Sequence, residues 1–220
     1  MTASPRTLST LEEVVVTVLD VSGDAARSGR DRVLIGIAGA PGAGKSTLSA
    51  ALVSRLREHG ERVAVLPMDG FHLSQRRLVE LGRRDRMGAP DTFDVDGFVA
   101  TLRRVRAGYG GETTAPGFDR TVEEAVPHAV TIAADTRIVV VEGNYLLLEI
   151  GSWVEVAALL DHAMVVEVAR ELRLERLVAR HIRFGKSESD ARAWALGPDD
   201  ANARLVEQSA HRADSRVKLD

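Results

Sequence analysis

The stretch Val33-Leu-Ile-Gly-Ile-Ala-Gly-Ala-Pro-Gly-Ala-Gly-Lys-Ser-Thr47 decides the fold of this chain. Its apolar first part predicts a buried strand, and residues 46–56 predict a helix. The loop between them fits the phosphate-binding pattern G-x-x-x-x-G-K-[ST] at every fixed position and in the required strand–loop–helix context. We therefore predict a nucleoside triphosphate site whose residues are consecutive: Gly39, Ala40, Pro41, Gly42, Ala43, Gly44, Lys45, Ser46 and Thr47.

Each part of this loop has a physical role. The glycines let backbone N–H groups turn inward around an anion, and the helix N-terminus adds partial positive charge there. Lys45 is expected to reach the β- and γ-phosphates, and the Ser46 hydroxyl to ligate Mg²⁺. The alternative is a glycine-rich turn with an incidental lysine, which does not require a match at every fixed position.

Composition narrows the class of protein. The chain has 220 residues, of which 45% are hydrophobic, a net charge of −3 and no cysteine. This balance gives no charge-based reason to expect a nucleic-acid or membrane partner, and the lack of cysteine excludes disulfides and thiol catalysis. No apolar stretch is long enough to span a bilayer, and the N-terminus lacks the form of a secretory signal. We expect a cytoplasmic protein that acts on a small molecule, and we leave open whether it forms a homodimer.

A single domain over residues 1–220 is the simplest organisation. Residues 1–30 predict an N-terminal helix that begins with a capping box at Thr10 and Glu13. Residues 74–94 and 108–126 are predicted to be substrate-side loops, and residues 170–197 a lid region. Residues 216–219 are predicted to form a closing edge strand.

Two carboxylates directly follow buried strands. Asp69 comes after the apolar run 62–67, and Glu142 ends the run 136–142. Ligands of open parallel sheets bind beyond the carboxyl ends of the strands, so both side chains are expected at the same edge as Lys45. Asp69 there would accept or orient a substrate hydroxyl proton, and Glu142 would hold Mg²⁺ or its water shell. An ordinary Asp-Gly turn is the alternative for Asp69.

Basic residues are concentrated in the predicted lid. At 100° per residue, Arg173, Arg176, Arg180 and Arg183 fall within roughly 80° on one helix face. Stacked guanidinium groups repel one another unless an anion lies opposite, which favours a phosphate-binding lid. A solvated basic face is the alternative.

The two predicted loops carry candidates for acceptor binding. Aromatic rings would stack on a planar base, whereas polar side chains would bracket hydroxyls. Local salt bridges are an equally good explanation for Arg86, Asp119 and Arg120. The candidate set is Phe71, His72, Arg86, Phe93, Asp94, Phe118, Asp119 and Arg120.

The ordered set of motifs resembles one family. The phosphate loop, Asp-Gly-Phe-His at 69–72, residues 90–94, Val-Val-Val-Glu-Gly at 139–143 and the arginine-rich segment are similar to P-loop small-molecule kinases. These are grouped with uridine kinase, phosphoribulokinase and bacterial pantothenate kinase, and include sugar-transport-associated kinases. Uridine kinases usually have a tyrosine where this chain has His72, which argues against uridine itself.

The resemblance implies a fold, substrates and roles for individual residues. The fold would be a three-layer α/β P-loop fold with a five-stranded parallel sheet, flanking helices and an arginine-rich lid. Asp69 would be the catalytic base and Glu142 a magnesium-site residue. ATP and Mg²⁺ would be required, and the ATP and lid contacts would be Arg176, Arg180, Arg183, Asp200 and Asn202.

We therefore predict an ATP- and Mg²⁺-dependent phosphotransferase that acts on a hydroxyl of a small metabolite, with Asp69, Lys45 and Arg180 as catalytic residues. A nucleoside or a sugar is the expected acceptor, and pantothenate is the alternative. A different class, a regulatory P-loop NTPase that acts through a protein partner, is weakened by the absence of an Asn-Lys-x-Asp guanine-reading sequence.

Overall fold

The computed structural model describes residues 5–108 and 111–219. Helices pack on both faces of a central sheet, so the predicted three-layer α/β class is confirmed. The strands are β1 (Arg6–Leu8), β2 (Val33–Gly39), β3 (Val63–Pro67), β4 (Thr113–Asp119), β5 (Glu124–Ile132), β6 (Ile138–Gly143), β7 (His162–Val166) and β8 (Ser215–Val217). The helices are α1 (Leu11–Arg27), α2 (Lys45–Glu58), α3 (Gln75–Glu80), α4 (Val95–Ala107), α5 (Val154–Ala158), α6 (Arg170–Arg183), α7 (Glu188–Trp194) and α8 (Asp200–Ser209).

Among the described residues, six strands form one parallel sheet in the order β1-β8-β7-β2-β6-β3. Strand β2, which leads into the phosphate loop, lies in the interior of the sheet between β7 and β6. Glu142 at the end of β6 is in register with Ile37 of β2 and with Pro67 of β3. The carboxyl ends of β2, β6 and β3 therefore meet at one edge of the sheet.

Alternating side chains divide the core between the two faces of the sheet. From β2, Leu34 and Ala38 join the cluster that packs on α4, α5 and α8. Val33, Ile35 and Ile37 join the opposite cluster with α1 and α2. The near-continuous apolar sequence of β2 follows from this burial on both faces, as is typical of parallel sheets.

The predicted start of the N-terminal helix is confirmed. Thr10 and Glu13 form the capping box of α1, and Asp94 accepts a hydrogen bond from Gly97 N to begin α4.

No helix in the described part of the chain combines the length and apolar character needed to cross a membrane.

Three strand predictions need correction. The sheet has six strands rather than five, because Arg6–Leu8 forms β1 ahead of α1, inside the range predicted as a helix. The predicted edge strand is β8, which lies between β7 and β1 and therefore is not at the edge. The edge strand β1 has three residues and therefore little hydrophobic periodicity, so it leaves a weak signal in the sequence.

The predicted loop 108–126 contains β4 and the start of β5, which pair as an antiparallel hairpin. Its sequence resembles a loop because Pro116 interrupts β4, where the pairing register shifts between Ala115 and Gly117. Proline lacks a backbone donor and is tolerated at such irregularities and on edge strands. The hairpin tip, residues 119–124, projects Arg120 and Glu123 toward the carboxyl edge of the main sheet.

Candidate active site

A cavity of about 290 Å³ lies at the carboxyl edge of the sheet and includes the phosphate loop in its lining. Gly44 is the residue before α2 and has φ 97°, a left-handed conformation that glycine adopts without strain. A Cβ added at Gly42, which has φ 80°, would lie 2.8 Å from the Arg173 carbonyl oxygen of α6. These glycines therefore permit the tight turn and its close contact with the lid helix.

Lys45 is buried within this loop. Its Nζ donates to the Ala40 carbonyl at 3.1 Å and to the Asn144 Oδ1 at 2.7 Å. Burial lowers the Lys45 pKa to about 8, although the charges of Glu142 and Asp69 oppose that shift. Asn144 is not among the predicted site residues, although its position directly after the Glu-Gly end of β6 is a signal from which it could have been predicted.

Ser46 and Glu142 provide a pair of oxygen donors. The Ser46 hydroxyl donates to Glu142 Oε1 at 2.7 Å. Burial raises the Glu142 pKa, and the hydrogen bond from Ser46 only partly offsets this. The described residues contain no group of three or more His, Cys, Asp or Glu side chains that could hold a metal. A hydroxyl and one carboxylate fit Mg²⁺, which usually completes its shell with water and substrate phosphates.

Asp69 lies in the short helical turn Met68–Phe71 after β3. Its Oδ2 accepts a hydrogen bond from Arg120 at 2.7 Å, across 51 residues of sequence. Burial alone would raise the Asp69 pKa, but the charges of His72, Arg120, Lys45 and Arg180 together lower it. The carboxylate is therefore ionised and paired with a guanidinium from the hairpin tip.

The His72 imidazole occupies the aromatic part of the cavity. Its Nδ1 is 2.8 Å from the Asp69 carbonyl oxygen. The ring centroid lies 4.0 Å from that of Phe93 and 4.7 Å from that of Phe118. Phe93 and Phe118 are candidates for stacking on a planar base, but His72 already packs against both rings.

The lid arginines separate into three environments. Arg176 and Arg180 line the cavity, and burial lowers the Arg180 pKa. Arg173 is buried and donates to Asp200 at 2.7 Å, so it belongs to the packing of α6 rather than to an open basic face. Arg183 lies outside the cavity lining, with its guanidinium 6.0 Å from the Phe184 ring centroid. The predicted arginine face is thus only partly directed at the cavity.

Four predicted acceptor residues lie outside the cavity lining and have structural contacts that account for them. Phe71 is buried against Phe98, with ring centroids 4.9 Å apart. Asp94 caps α4, and Asp119 accepts from the Thr121 backbone N–H at 2.8 Å. Arg86 pairs with Asp91 at 2.7 Å. We remove these four from the candidate site.

The predicted nucleotide contacts at 200 and 202 are also placed differently. Asp200 is buried and accepts from Arg170 and Arg173; hydrogen bonding to Arg170 is the first cause of its pKa falling to about 2. It therefore anchors α8 to α6. Asn202 lines the main cavity near Gly88, whose added Cβ would lie 3.8 Å from Asn202 Nδ2.

The structure adds several residues that the sequence analysis missed. Arg84 pairs with Glu123 of the hairpin tip at 2.7 Å, and both line the cavity. His181 and Asp199, 2.7 Å apart, line its lid side. Both pairs join residues distant in sequence, so no local pattern reveals them.

A separate groove of about 870 Å³ lies on the other side of the phosphate loop. Apolar side chains from four distant segments contribute Leu11, Leu48, Leu172 and Leu219 to its lining. Gly44, Thr47 and Arg176 border both this groove and the main cavity. The phosphate loop thus connects a polar cavity to a largely apolar groove.

The comparisons with known proteins agree with this geometry. A putative uridine kinase of Schizosaccharomyces pombe is 36% identical over 191 residues, which cover 82% of this chain and 80% of the relative. An Aspergillus versicolor protein named as ATP-dependent kinase-like is 34% identical over 160 residues, covering 69% of this chain and 87% of its own. The crystal structure of a putative fructose transport system kinase from Silicibacter sp. TM1040 matches with a TM-score of 0.87 and 35% identity, covering 97% of this chain and 100% of that one.

One family model matches a shorter part. It is described as the methylmalonyl Co-A mutase-associated GTPase MeaB and covers residues 11–107. That range is less than half of the chain and contains the phosphate loop and Asp69, but not Glu142 or the lid. The Silicibacter structure covers 97% of the chain, and the Schizosaccharomyces pombe relative is 36% identical over 82% of it; the chain therefore belongs to the uridine kinase-like P-loop kinases.

Proposed function

We propose that this protein transfers the γ-phosphoryl group of ATP, with Mg²⁺, to a hydroxyl of a small polyhydroxylated metabolite. The observation that carries the proposal is the meeting of three groups at neighbouring strand ends. Lys45 follows β2, Glu142 ends β6 and Asp69 follows β3, and all three line one cavity. These are a phosphate-binding cation, a metal-binding carboxylate and a base, the set that phosphoryl transfer uses.

The proposed ATP position follows from the two cavities that the phosphate loop borders. The β- and γ-phosphates would bind the loop backbone and Lys45. The adenine base of ATP would lie in the apolar groove next to Leu48, Val168 and Leu219. That groove adjoins Gly44 and Thr47 of the phosphate loop. This position replaces the one near Asp200 and Asn202 suggested by the family resemblance.

The Ser46 hydroxyl and the Glu142 carboxylate would hold Mg²⁺. When bound, the ion neutralises phosphate charge. Burial is the main cause of the raised Glu142 pKa, and a divalent ion beside the carboxylate would lower that pKa again.

The transfer step assigns work to Asp69 and Arg180. Asp69 orients the acceptor hydroxyl and accepts its proton as the hydroxyl oxygen bonds to the γ-phosphorus. The bond from that phosphorus to the bridging oxygen breaks, and its electron pair leaves with ADP. Arg180, half-buried at the lid side of the cavity, would bind the transferred group as charge moves onto it.

Among the predicted acceptors, the geometry supports a sugar-like molecule better than a nucleoside. His72 packs against Phe93 and Phe118, so these rings leave no open slot for a base. A cavity of about 290 Å³, part of which the γ-phosphate would fill, favours a compact acceptor.

The test is an ATP-turnover screen across nucleosides, pentoses, hexoses and pantothenate, with the phosphorylated product identified by mass. We expect ATP consumption to depend on the acceptor and to yield stoichiometric phosphorylated product. Slow turnover that no acceptor increases, but that a protein fraction stimulates, would favour the regulatory NTPase instead. A tenfold or greater preference for a nucleoside or for pantothenate would contradict the sugar-like acceptor and leave the kinase activity intact.

A further inference from the structure

We propose that the acceptor is a short hydroxy acid, whose carboxylate binds Arg120 while its hydroxyl binds Asp69. This inference rests on the proposed kinase function and adds the chemical class of the acceptor. It arises from the contact between the hairpin tip and the proposed base.

The contact with Asp69 engages only part of the hydrogen-bonding capacity of the Arg120 guanidinium. Among the described residues, its guanidinium makes one hydrogen bond, from Nη2 to Asp69 Oδ2. A guanidinium has five N–H donors, and it pairs best with an anion through two parallel bonds. Its side chain is 44% exposed at the cavity rim. The remaining donors are therefore available to a second anion that enters the cavity.

The same contact occupies the proposed base. Asp69 must offer an oxygen to the acceptor hydroxyl, yet its one side-chain hydrogen bond among the described residues is with Arg120. A neutral hydroxyl competes poorly for a carboxylate that is paired with a cation, whereas an anion can take the cation. Partly exposed ion pairs contribute little to stability, so this exchange of partners is inexpensive.

The neighbouring charges make Arg120 the natural recipient of the anion. Arg84 already pairs with Glu123 at 2.7 Å, so the tip is held by a contact other than that of Arg120. The Glu123 carbonyl also accepts from Gln75 Nε2 at 2.8 Å. Arg120 can therefore change partner without releasing the hairpin. The proximity of Arg120 also helps to lower the Arg180 pKa, a repulsion that an added carboxylate would relieve.

Distance and volume set the size of the acceptor. Arg120 Nη2 lies 2.7 Å from Asp69 Oδ2. Arg120 would contact the acceptor carboxylate, and Asp69 the acceptor hydroxyl, at about 3 Å. The carboxylate and the reacting hydroxyl must therefore lie close together on one carbon chain. The cavity of about 290 Å³ and the packed His72, Phe93 and Phe118 rings suit such a compact, non-planar molecule.

In the transfer step, the acceptor hydroxyl oxygen forms a bond to the γ-phosphorus and its proton passes to Asp69. The bond between the γ-phosphorus and the bridging oxygen breaks, and ADP departs with that electron pair. The acceptor carboxylate keeps its charge throughout and stays on Arg120. The product is a phosphorylated hydroxy acid.

The experiment compares pairs of open-chain acceptors in which a carboxylate replaces one terminal CH₂OH group. Glycerate is measured against glycerol, ribonate against ribitol and gluconate against sorbitol, with ribose 5-phosphate as a phosphate-bearing arm. We expect kcat/KM for at least one acid to exceed that of its neutral partner by tenfold or more. In Arg120→Gln, that ratio should fall toward one through a rise in acceptor KM, while the Kd for ATP stays the same.

Arg86→Gln is the matched control, because Arg86 is paired with Asp91 outside the cavity and should keep the wild-type ratio. Arg120→Lys, which keeps the charge but loses the fork, should recover part of the preference. Transfer that favours the neutral members would overturn this inference and leave the proposed kinase function standing, as would a lead by the sugar phosphate. Failure of every acceptor to be phosphorylated would overturn both.

Discussion

The phosphate side and the acceptor side of the cavity are built in opposite ways. The phosphate side consists of one continuous stretch, residues 39–47, whose backbone does most of the binding. The acceptor side is assembled from side chains of the turn after β3, the hairpin tip, residues 84–93 and the lid. Backbone binding depends on local conformation, whereas an assembled site depends on long-range packing. The phosphate side can therefore be recognised in the sequence as a motif, whereas the acceptor side cannot.

Removing Lys45 should have the largest effect, because its ammonium is the cation that the phosphate loop itself supplies to the phosphates. We expect Lys45→Ala to remove phosphoryl transfer, since the preorganised cation facing the phosphates is lost. The melting temperature should hold, because burial disfavours this charge in the empty protein. Steady-state kinetics and thermal unfolding measure both. Wild-type activity in the variant would refute the kinase assignment.

On the acceptor side, Asp69→Asn should lower kcat by about two to four orders of magnitude, the range for a missing general base. The Kd for ATP should change little, because Asp69 lies outside the phosphate loop. Asp119→Asn is the control: that carboxylate caps a turn in the same hairpin and lies off the cavity. An unchanged kcat in Asp69→Asn would leave Asp69 as a turn residue only.

Gly70→Ala should impair the acceptor side of the cavity and leave the phosphate side intact. An added Cβ would lie 2.0 Å from the Pro116 carbonyl of β4, so the turn and the hairpin must move apart. A shift of about 1 Å in a reacting group can cost up to about a hundredfold in rate, and we expect at least a tenfold fall in kcat/KM for the acceptor. ATP affinity, measured by calorimetry, should remain. Gly197→Ala, with no atom within 4 Å of its added Cβ, should be neutral, and equal losses in both variants would argue against the hairpin's role.

The smallest expected effect is the uptake of protons by Lys45, on the phosphate side, when ATP binds. In the empty protein the Lys45 pKa is about 8, below its ordinary value, so Lys45 loses its proton as pH rises through 8. Bound phosphates favour the charged form and raise this pKa again. ATP binding at pH 8.5 should therefore take up a fraction of a proton, and at pH 7 almost none. Calorimetry in buffers of different ionisation enthalpy measures the uptake, which should vanish in Lys45→Ala.

Much of the architecture could be predicted because it is written locally. Apolar runs indicated the parallel strands, and the end of each run marked Asp69 and Glu142 as candidates at one edge of the sheet. The hairpin was missed because Pro116 and the register shift beside it interrupt the strand pattern. Strand β1 was missed because three residues carry too little periodicity to distinguish them from the helix that follows.

The sequence by itself determined the phosphate loop, the α/β class and the ionisable groups at the strand ends. Their local geometry follows from glycine conformations, apolar periodicity and strand direction. Only the tertiary structure decided that Arg120 pairs with Asp69, that His72 fills the aromatic slot and that Leu11 and Leu219 share a groove with the phosphate loop. Such contacts join segments up to about 200 residues apart, and the packing of the whole domain, rather than any local preference, selects them.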